Sequence, residues 1–493
     1  MINRSRIKPI LTAVMIATAL SACATNPVSK KSEFVLMSEK EELALGKQAS
    51  QQMSQQLRIL PETDPLARYV NRIGQKIAKF TDRPELFYRF YVVDDATINA
   101  FALPGGYIFI HRGLLMRFNS ESELAAVIGH ELGHVTARHA VARYTQVRGY
   151  QTAMTAASIF LPIPPVAGNM SDVLASAVIS GFGREQELQS DILSLKYIGA
   201  AGYDVQSTVH LLETLQRIEK ISEKEKKDAG EKVEAYHGAF ASHPETKKRI
   251  EEAIKKASAM QNDQAHKLIG HDEFLLQIKG YPLNDSPADG AVVGNRFLHP
   301  DLQFQLEFPD NQSWMIKNTP QSLTARVRKE EVYFDLQTLE LQKKQSLTEI
   351  LHGLYPERHI HDVKTGTHDR FEYIHAHVDA SAPHVSKAAI DVTIWLDGPR
   401  AFIGRTWCKR DEIDKWRPQF HQIHESFGDY DADKEGGIPM VTLYNWKRGD
   451  SWEALAAQHN HALGKFTADR LAALNGMDLE QTPAEGTLIK VLQ

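Results

Sequence analysis

Two histidines four residues apart, His130 and His134, with Glu131 between them, constrain this 493-residue chain more than any other feature. A helix places residues at that spacing on one face, one turn apart, so both imidazoles can reach a single metal ion. Glu131 then lies beside the metal rather than on it. That is where a hydrolytic zinc site needs a base for its water.

The flanking residues favour such a helix. Ser120-Glu121-Ser122-Glu123 reads as a capping box, and Leu124, Val127 and Ile128 begin an apolar stripe at helical spacing. A hydrolytic zinc site also needs a third protein ligand and an open position for water. In Arg184-Glu185-Gln186-Glu187-Leu188-Gln189-Ser190-Asp191, Glu187 and Asp191 share a helix face and can serve as ligand and as the carboxylate that orients an imidazole.

Together these segments resemble peptidase family M48, a gluzincin group of zinc metallopeptidases. Asn99 to Ile110 is similar to the strand and turn that precede the family's zinc helix, and Arg138-His139 follows the motif as it often does there. Arg184, Glu187 and Asp191 resemble the second family signature, although Gln189 and Ser190 replace its usual Glu and Ala. The resemblance implies one Zn2+ per chain on His130, His134 and Glu187, with Asp191 behind the ligands and Glu131 assisting attack of zinc-bound water on a peptide carbonyl. Ser242-His243-Pro244, followed by Lys248 and Arg249, is similar to a later His-Pro segment of the family. By that likeness His243 donates to the oxyanion or occupies the open zinc position; the plainer reading is a surface histidine before a helix starting at Pro244. The extended run beginning at Gly106, Tyr107 and Ile108 is β-prone and could bind a substrate backbone by strand addition, while Gly105-Gly106 more simply makes a tight turn.

The N-terminal residues bear on location. Arg4, Arg6 and Lys8 precede an apolar run from Ile10 to Leu20, too short for a membrane span and suited to a signal-peptide core. Leu20-Ser21-Ala22-Cys23 resembles a bacterial lipobox, which implies cleavage before Cys23 and a lipid on its thiol, with Ala24 favouring the outer over the inner membrane. Only one other cysteine exists, Cys408, so no disulfide joins the lipidated chain to itself and Cys408 reads as a structural thiol. Losing the three basic residues of the leader takes the formal charge from −5 to −8, which argues against nucleic acid as a partner. Lysine-rich runs such as Lys247 to Lys256 alternate with acidic residues and read as solvated helix faces.

The pattern predicts a multidomain α+β chain. After a signal peptide at 1–22 and an anchored linker at 23–39, a mostly helical metallopeptidase domain with a small sheet near residues 88–111 occupies 40–278. Its apolar stretch from Ala153 to Gly181 is broken by Pro162, Pro164 and Pro165; it suits a lid over the zinc or a buried helical pair equally. A linker at 279–290 leads to an α+β accessory domain at 291–428, with alternating strands around Phe304–Phe308, Leu323–Arg328, Val332–Leu341 and Ile390–Leu396. His352, His359, His361, His368, His375 and His377 scatter through it at irregular spacing and are expected to cap or pack rather than bind metal. Beyond a second linker at 429–439, Tyr444, Trp446, Gly449-Asp450-Ser451, Leu471, Asn475-Gly476 and Gly486 resemble a LysM domain, a small βααβ module at 440–493 whose likeness implies peptidoglycan binding.

Two readings of function compete. One is a zinc endopeptidase on the periplasmic side of a bacterial envelope, acting on misfolded or stalled envelope proteins. The other is a wall-bound assembly factor whose zinc site is latched. A peptidase directed at peptidoglycan cross-links is a third, and an intact Glu131 favours the first because a pure binder has no need of a base between two ligands.

Overall fold

The structure, a computed structural model, describes residues 23–147 apart from 29, 31, 35 and 36; residues 181–228 and 246–260; residues 267–431 apart from 311, 320, 321, 329, 357 and 358; and residues 437–459 and 467–493. The sequence features at 1–22 and 153–180, and His243, lie outside the described residues. The chain is mixed helix and sheet, and it divides into two compact units. The first runs to Leu283 and takes in Val441–Ala457 and Phe466–Val491; the second is Asn284–Met440 with Gln458–Lys465 and Leu492–Gln493.

In the first unit a hairpin of β1 (Cys23–Thr25) and β2 (Ser32–Phe34) precedes helix α1 (Glu39–Gln56), which starts at a capping box between Ser38 and Glu41. Helix α2 (Pro65–Ala78) starts where the Asp64 side chain accepts from the amides of Leu66 and Ala67, with proline at its first position. Three strands follow, β3 (Arg89–Val93), β4 (Ala100–Leu103) and β5 (Tyr107–His111), with β5 in the middle. It runs parallel to β3 and antiparallel to β4. The stacked rings of Phe101 and Phe109, 4.9 Å apart, lie in a core shared with Leu45, Leu103, Val141 and Phe182.

Helix α3 (Glu121–Thr136) carries the two histidines and is buried along nearly its whole length, Val127 excepted. Its N-terminus is held by backbone bonds from Glu121 and Ser122 to the carbonyls of Gly270 and Ile269, and by hydrogen bonds from Tyr69 and Tyr203 to the Glu121 carboxylate. The cap differs from the reciprocal box expected of the sequence. Ser120 accepts from the Glu123 amide, but the Glu123 carboxylate reaches the amide of Asn119 instead, at 2.6 Å. Helices α4 (Arg184–Ala200), α5 (Ser207–Asp228), α6 (Thr246–Met260) and α7 (His271–Ile278) complete this part of the unit.

The C-terminal residues order as β17 (Val441–Asn445), two short helices at Trp452–Gln458 and Ala468–Leu474, and β18 (Leu488–Leu492), which pairs with β17. They pack around Trp446, Trp452, Leu455, Leu471, Ile489 and Val491. The sequence suggests a separate module here, yet these residues belong to the same compact unit as the helix that carries the two histidines. The reason is polar as well as apolar. Lys490, fully buried in β18, donates to the carbonyls of Met116 and Phe118 at 3.2 and 2.8 Å, and Arg217 pairs with Asp478 at 2.9 Å.

The second unit is built on a seven-stranded antiparallel sheet containing, among others, β13 (Phe371–Ala382), β14 (Val385–Asp397) and β15 (Arg400–Lys409). Helix α9 (Ile413–Glu425) packs on it, as does the shorter α8 (Leu347–Leu354). Cys408 is fully buried, and burial pushes its thiol up to about 12, so it is inert packing. The scatter expected of the histidines holds only in part: His368, His375 and His377 line one cavity together with His421 and His424. Among the described residues no helix is long and apolar enough to cross a membrane.

Candidate metal centre

Helices α3 and α4 touch closely because of two glycines. A Cβ on Gly129 would stand 3.1 Å from the Cα of Ser194, and one on Gly133 would stand 3.0 Å from the Cα of Ser190. Ser194 also donates to the carbonyl of Ala126, at 2.7 Å. This approach carries Glu187, with no exposed surface, to the two histidines. The Nε2 atoms of His130 and His134 lie 3.0 Å apart, and the Glu187 oxygens stand 3.3 and 3.5 Å from them. Ligands on one tetrahedral zinc, with bonds of roughly 2.0–2.1 Å, sit about 3.3 Å from each other. The three side chains therefore fit one ion with little movement.

Both imidazoles are oriented from behind. The Nδ1 of His130 shares a hydrogen bond with Asp191 at 2.8 Å, and the Nδ1 of His134 shares one with His139 at 2.9 Å. Arg138 turns the chain at the end of α3 with a left-handed φ of 57°, a conformation costing a non-glycine residue roughly 1 kcal/mol, and its guanidinium is tied to Glu42 at 2.7 Å. His139, the next residue, comes back against His134. Gln189 and Ser190, the two departures from the family signature, both address this residue: Gln189 bonds its Nε2 at 3.0 Å and Ser190 lies 3.5 Å from its Nδ1. Phe182 stacks on His134 with ring centroids 4.1 Å apart.

The electrostatics of the pocket favour a cation. Burial alone would lower the pKa of His130, but the carboxylates of Asp191 and Glu187 outweigh it and hold the ring at about 9. Burial would raise Asp191, yet Arg249 and His130 hold it down at about 2. His139, with burial dominant, falls to about 4 and stays a neutral partner for His134.

Arg249, read in the sequence only as part of the His-Pro segment, has a place in the site that sequence reasoning missed. It sits in the lysine-rich run taken as a solvated face, yet it is 5% exposed and clamps Asp191 through two nitrogens, at 2.7 and 2.8 Å, while reaching Glu187 at 3.4 Å. The usable signal was its spacing to Ala253 and Ala257, both buried on the same face of α6. Small residues at that period let the helix lie close enough for the guanidinium to reach inward.

Glu131, 2% exposed, lines a recess of about 60 Å³ with Ala100, Val127, His130, Leu211 and Leu215. The role expected of Gly106, Tyr107 and Ile108 needs correction. Their strand is the middle of its sheet, with both edges paired, so it has no edge to offer a substrate backbone. Gly105 and Gly106, at φ of 82° and 96°, make the tight turn that was the simpler reading. Among the described residues, no strand pairs with the far edge of β4 (Ala100–Leu103), whose Ala100 lines the recess beside Glu131.

Asp191→Ala is expected to weaken zinc binding about 10- to 100-fold, since it frees the His130 ring and leaves the buried Arg249 to draw on the ligand Glu187. Competition with a chromophoric chelator measures this, and an unchanged affinity would show that Asp191 does not orient the ligand.

Two histidines one helical turn apart, a glutamate between them and a carboxylate from a second helix make a centre of the metallopeptidase class. The comparisons agree: residues 65–257 match the model of Peptidase family M48. The chain is 31% identical over 195 residues to the mitochondrial metalloendopeptidase OMA1 of Schizosaccharomyces pombe, a match covering 39% of this chain and 53% of the relative. It is 28% identical over 223 residues to the beta-barrel assembly-enhancing protease of Yersinia pestis, covering 43% of each, and 29% identical over 161 residues to that of Escherichia coli, covering 31% and 33%. The chain thus spans about half or less of these relatives.

Proposed function

We propose that this chain is a zinc-dependent endopeptidase of the bacterial cell envelope, hydrolysing peptide bonds of misfolded or stalled envelope proteins. The observation that carries the reading is the convergence of His130, His134 and Glu187, each offering a ligand atom within 4.8 Å of the others, with Glu131 beside them. Bound there, zinc would supply Lewis acidity toward a peptide carbonyl and a water nucleophile usable near neutral pH. Glu131 accepts a proton from the attacking water and returns it to the leaving amine. Asp191, Arg249 and His139 keep the imidazoles in place during that exchange. The edge of Ala100–Leu103 that no strand pairs among the described residues takes the substrate backbone, a mode that tolerates many sequences, and the recess takes one apolar side chain. His243 is assigned by family likeness as donor to the developing oxyanion.

Location and targeting rest on sequence. Lipidation of Cys23 tethers the chain to the membrane, and the LysM-like residues 440–493 bind the N-acetylglucosamine backbone of peptidoglycan. Relatives named for enhancing beta-barrel assembly support an envelope substrate. The test is incubation of the purified full chain with an unfolded casein-like protein. Cleavage should stop with chelator and return with added zinc; a substrate left intact in both conditions defeats the reading, and new fragments from digested sacculi would redirect it to peptidoglycan cross-links.

A further inference from the structure

In the second unit, β13 and β14 pair antiparallel with His375 opposite Thr393 and His377 opposite Asp391. Residues two apart on a strand share a face, so these four side chains stand together on one side of the sheet. Helix α9 supplies His421 and His424, three apart and so on one helix face. All six line a cavity of about 670 Å³. The arrangement is built rather than loose. His377 shares a 2.5 Å hydrogen bond with Asp391 through Nδ1, and His375 shares a 2.8 Å bond with Thr393, also through Nδ1. Asp391, Thr393 and His424 are 2, 3 and 5% exposed.

Two observations point to a ligand. His375, His377 and Asp391 each offer a ligand atom within 4.8 Å of the others. Independently, the Nδ1 of His424 is buried with no hydrogen-bond partner, while its Nε2 bonds Thr406 at 3.0 Å and its ring stacks on Trp395. Buried polar atoms in proteins are nearly always satisfied, so an orphan nitrogen at the wall of a histidine-lined cavity points to a group bound within it.

We propose that this cavity binds a second divalent transition-metal ion, zinc by ligand chemistry, on His375, His377 and Asp391. Two imidazoles and a carboxylate suit zinc and its neighbours rather than calcium or magnesium. Zinc content rises from the one ion per chain expected of the sequence to two.

The experiment uses the full chain, stripped with chelator and titrated with zinc, with bound metal counted by elemental analysis. Two equivalents are expected in the wild type, one in the H375Q/H377Q variant, which should still cleave casein, and one in H130Q/H134Q. In H130Q/H134Q, zinc should also slow hydrogen exchange in peptides covering 371–397. A single equivalent in the wild type, two in H375Q/H377Q, or exchange in those peptides indifferent to zinc each overturns the proposal. The exchange arm decides the matter if H375Q/H377Q does not fold, and loss of peptidase activity alone leaves the second equivalent untouched, so the two zinc readings fail separately.

Discussion

Glu131→Gln should lower hydrolysis of an unfolded protein substrate by about 10³-fold while leaving zinc content unchanged. The carboxylate is not among the three side chains that converge on the metal position, so its loss does not subtract a ligand. Glutamine has the same shape and still hydrogen bonds, but its amide cannot take a proton from water. The fall should therefore appear in kcat with KM nearly unchanged, because the contacts proposed to hold a substrate, the β4 edge and the recess, are untouched. Elemental analysis of the variant separates this from a ligand defect, in which metal and activity would be lost together. A variant that keeps a tenth or more of the activity with zinc in place would remove Glu131 from the role of base, and the proton would have to pass through another group.

What was readable in the sequence was what helical periodicity alone decides. His130, His134, Glu187 and Asp191 were legible because i, i+4 spacing fixes which residues share a face, and two such faces need only meet. The meeting itself was encoded in Gly129 and Gly133, whose missing side chains let α4 approach, but a glycine pair inside a helix is also a plain propensity cost and does not announce a partner. Arg249 escaped because its run looks solvated and because its partners are 58 and 62 positions away in sequence. The assignment of a substrate strand to Tyr107 failed for a different reason. Alternating β-prone residues identify a strand, while whether it is an edge depends on pairings with β3 and β4 that periodicity does not carry.

The accessory unit shows the same division more sharply. Its histidines looked scattered along the chain, yet His375 and His377 have the strand period of two and His421 and His424 a helical period of three. Each pair marks a face. Only the antiparallel register, which sets His375 against Thr393 and His377 against Asp391, and the packing of α9 on that sheet turn two faces into one cavity.

Lys490→Met should destabilise the metallopeptidase unit by about 3–5 kcal/mol, the cost of removing one partner from a buried charged arrangement. Lys490 is 0% exposed, and its ammonium donates to the carbonyls of Met116 and Phe118, which lie just ahead of the Ser120 cap of the metal-binding helix. Glu123, in the first turn of that helix and 5% exposed, supplies the opposing charge. Burial pushes the Glu123 carboxyl up and the Lys490 ammonium down, and each draws the other back toward its charged form. Methionine keeps the length and apolar stem of lysine, so the core of the C-terminal residues stays filled. What it removes is the donor, leaving two carbonyls and a carboxylate buried beside the start of α3. Urea unfolding should show the loss, and hydrogen exchange should locate it at residues 116–124. A variant within 0.5 kcal/mol of wild type would mean that the C-terminal strand only rests on this unit, as a tethered wall-binding module would. The expected loss instead makes residues 441–491 part of what holds the metal-binding helix at its N-terminus, so that deleting them to test peptidoglycan binding would also cost peptidase stability.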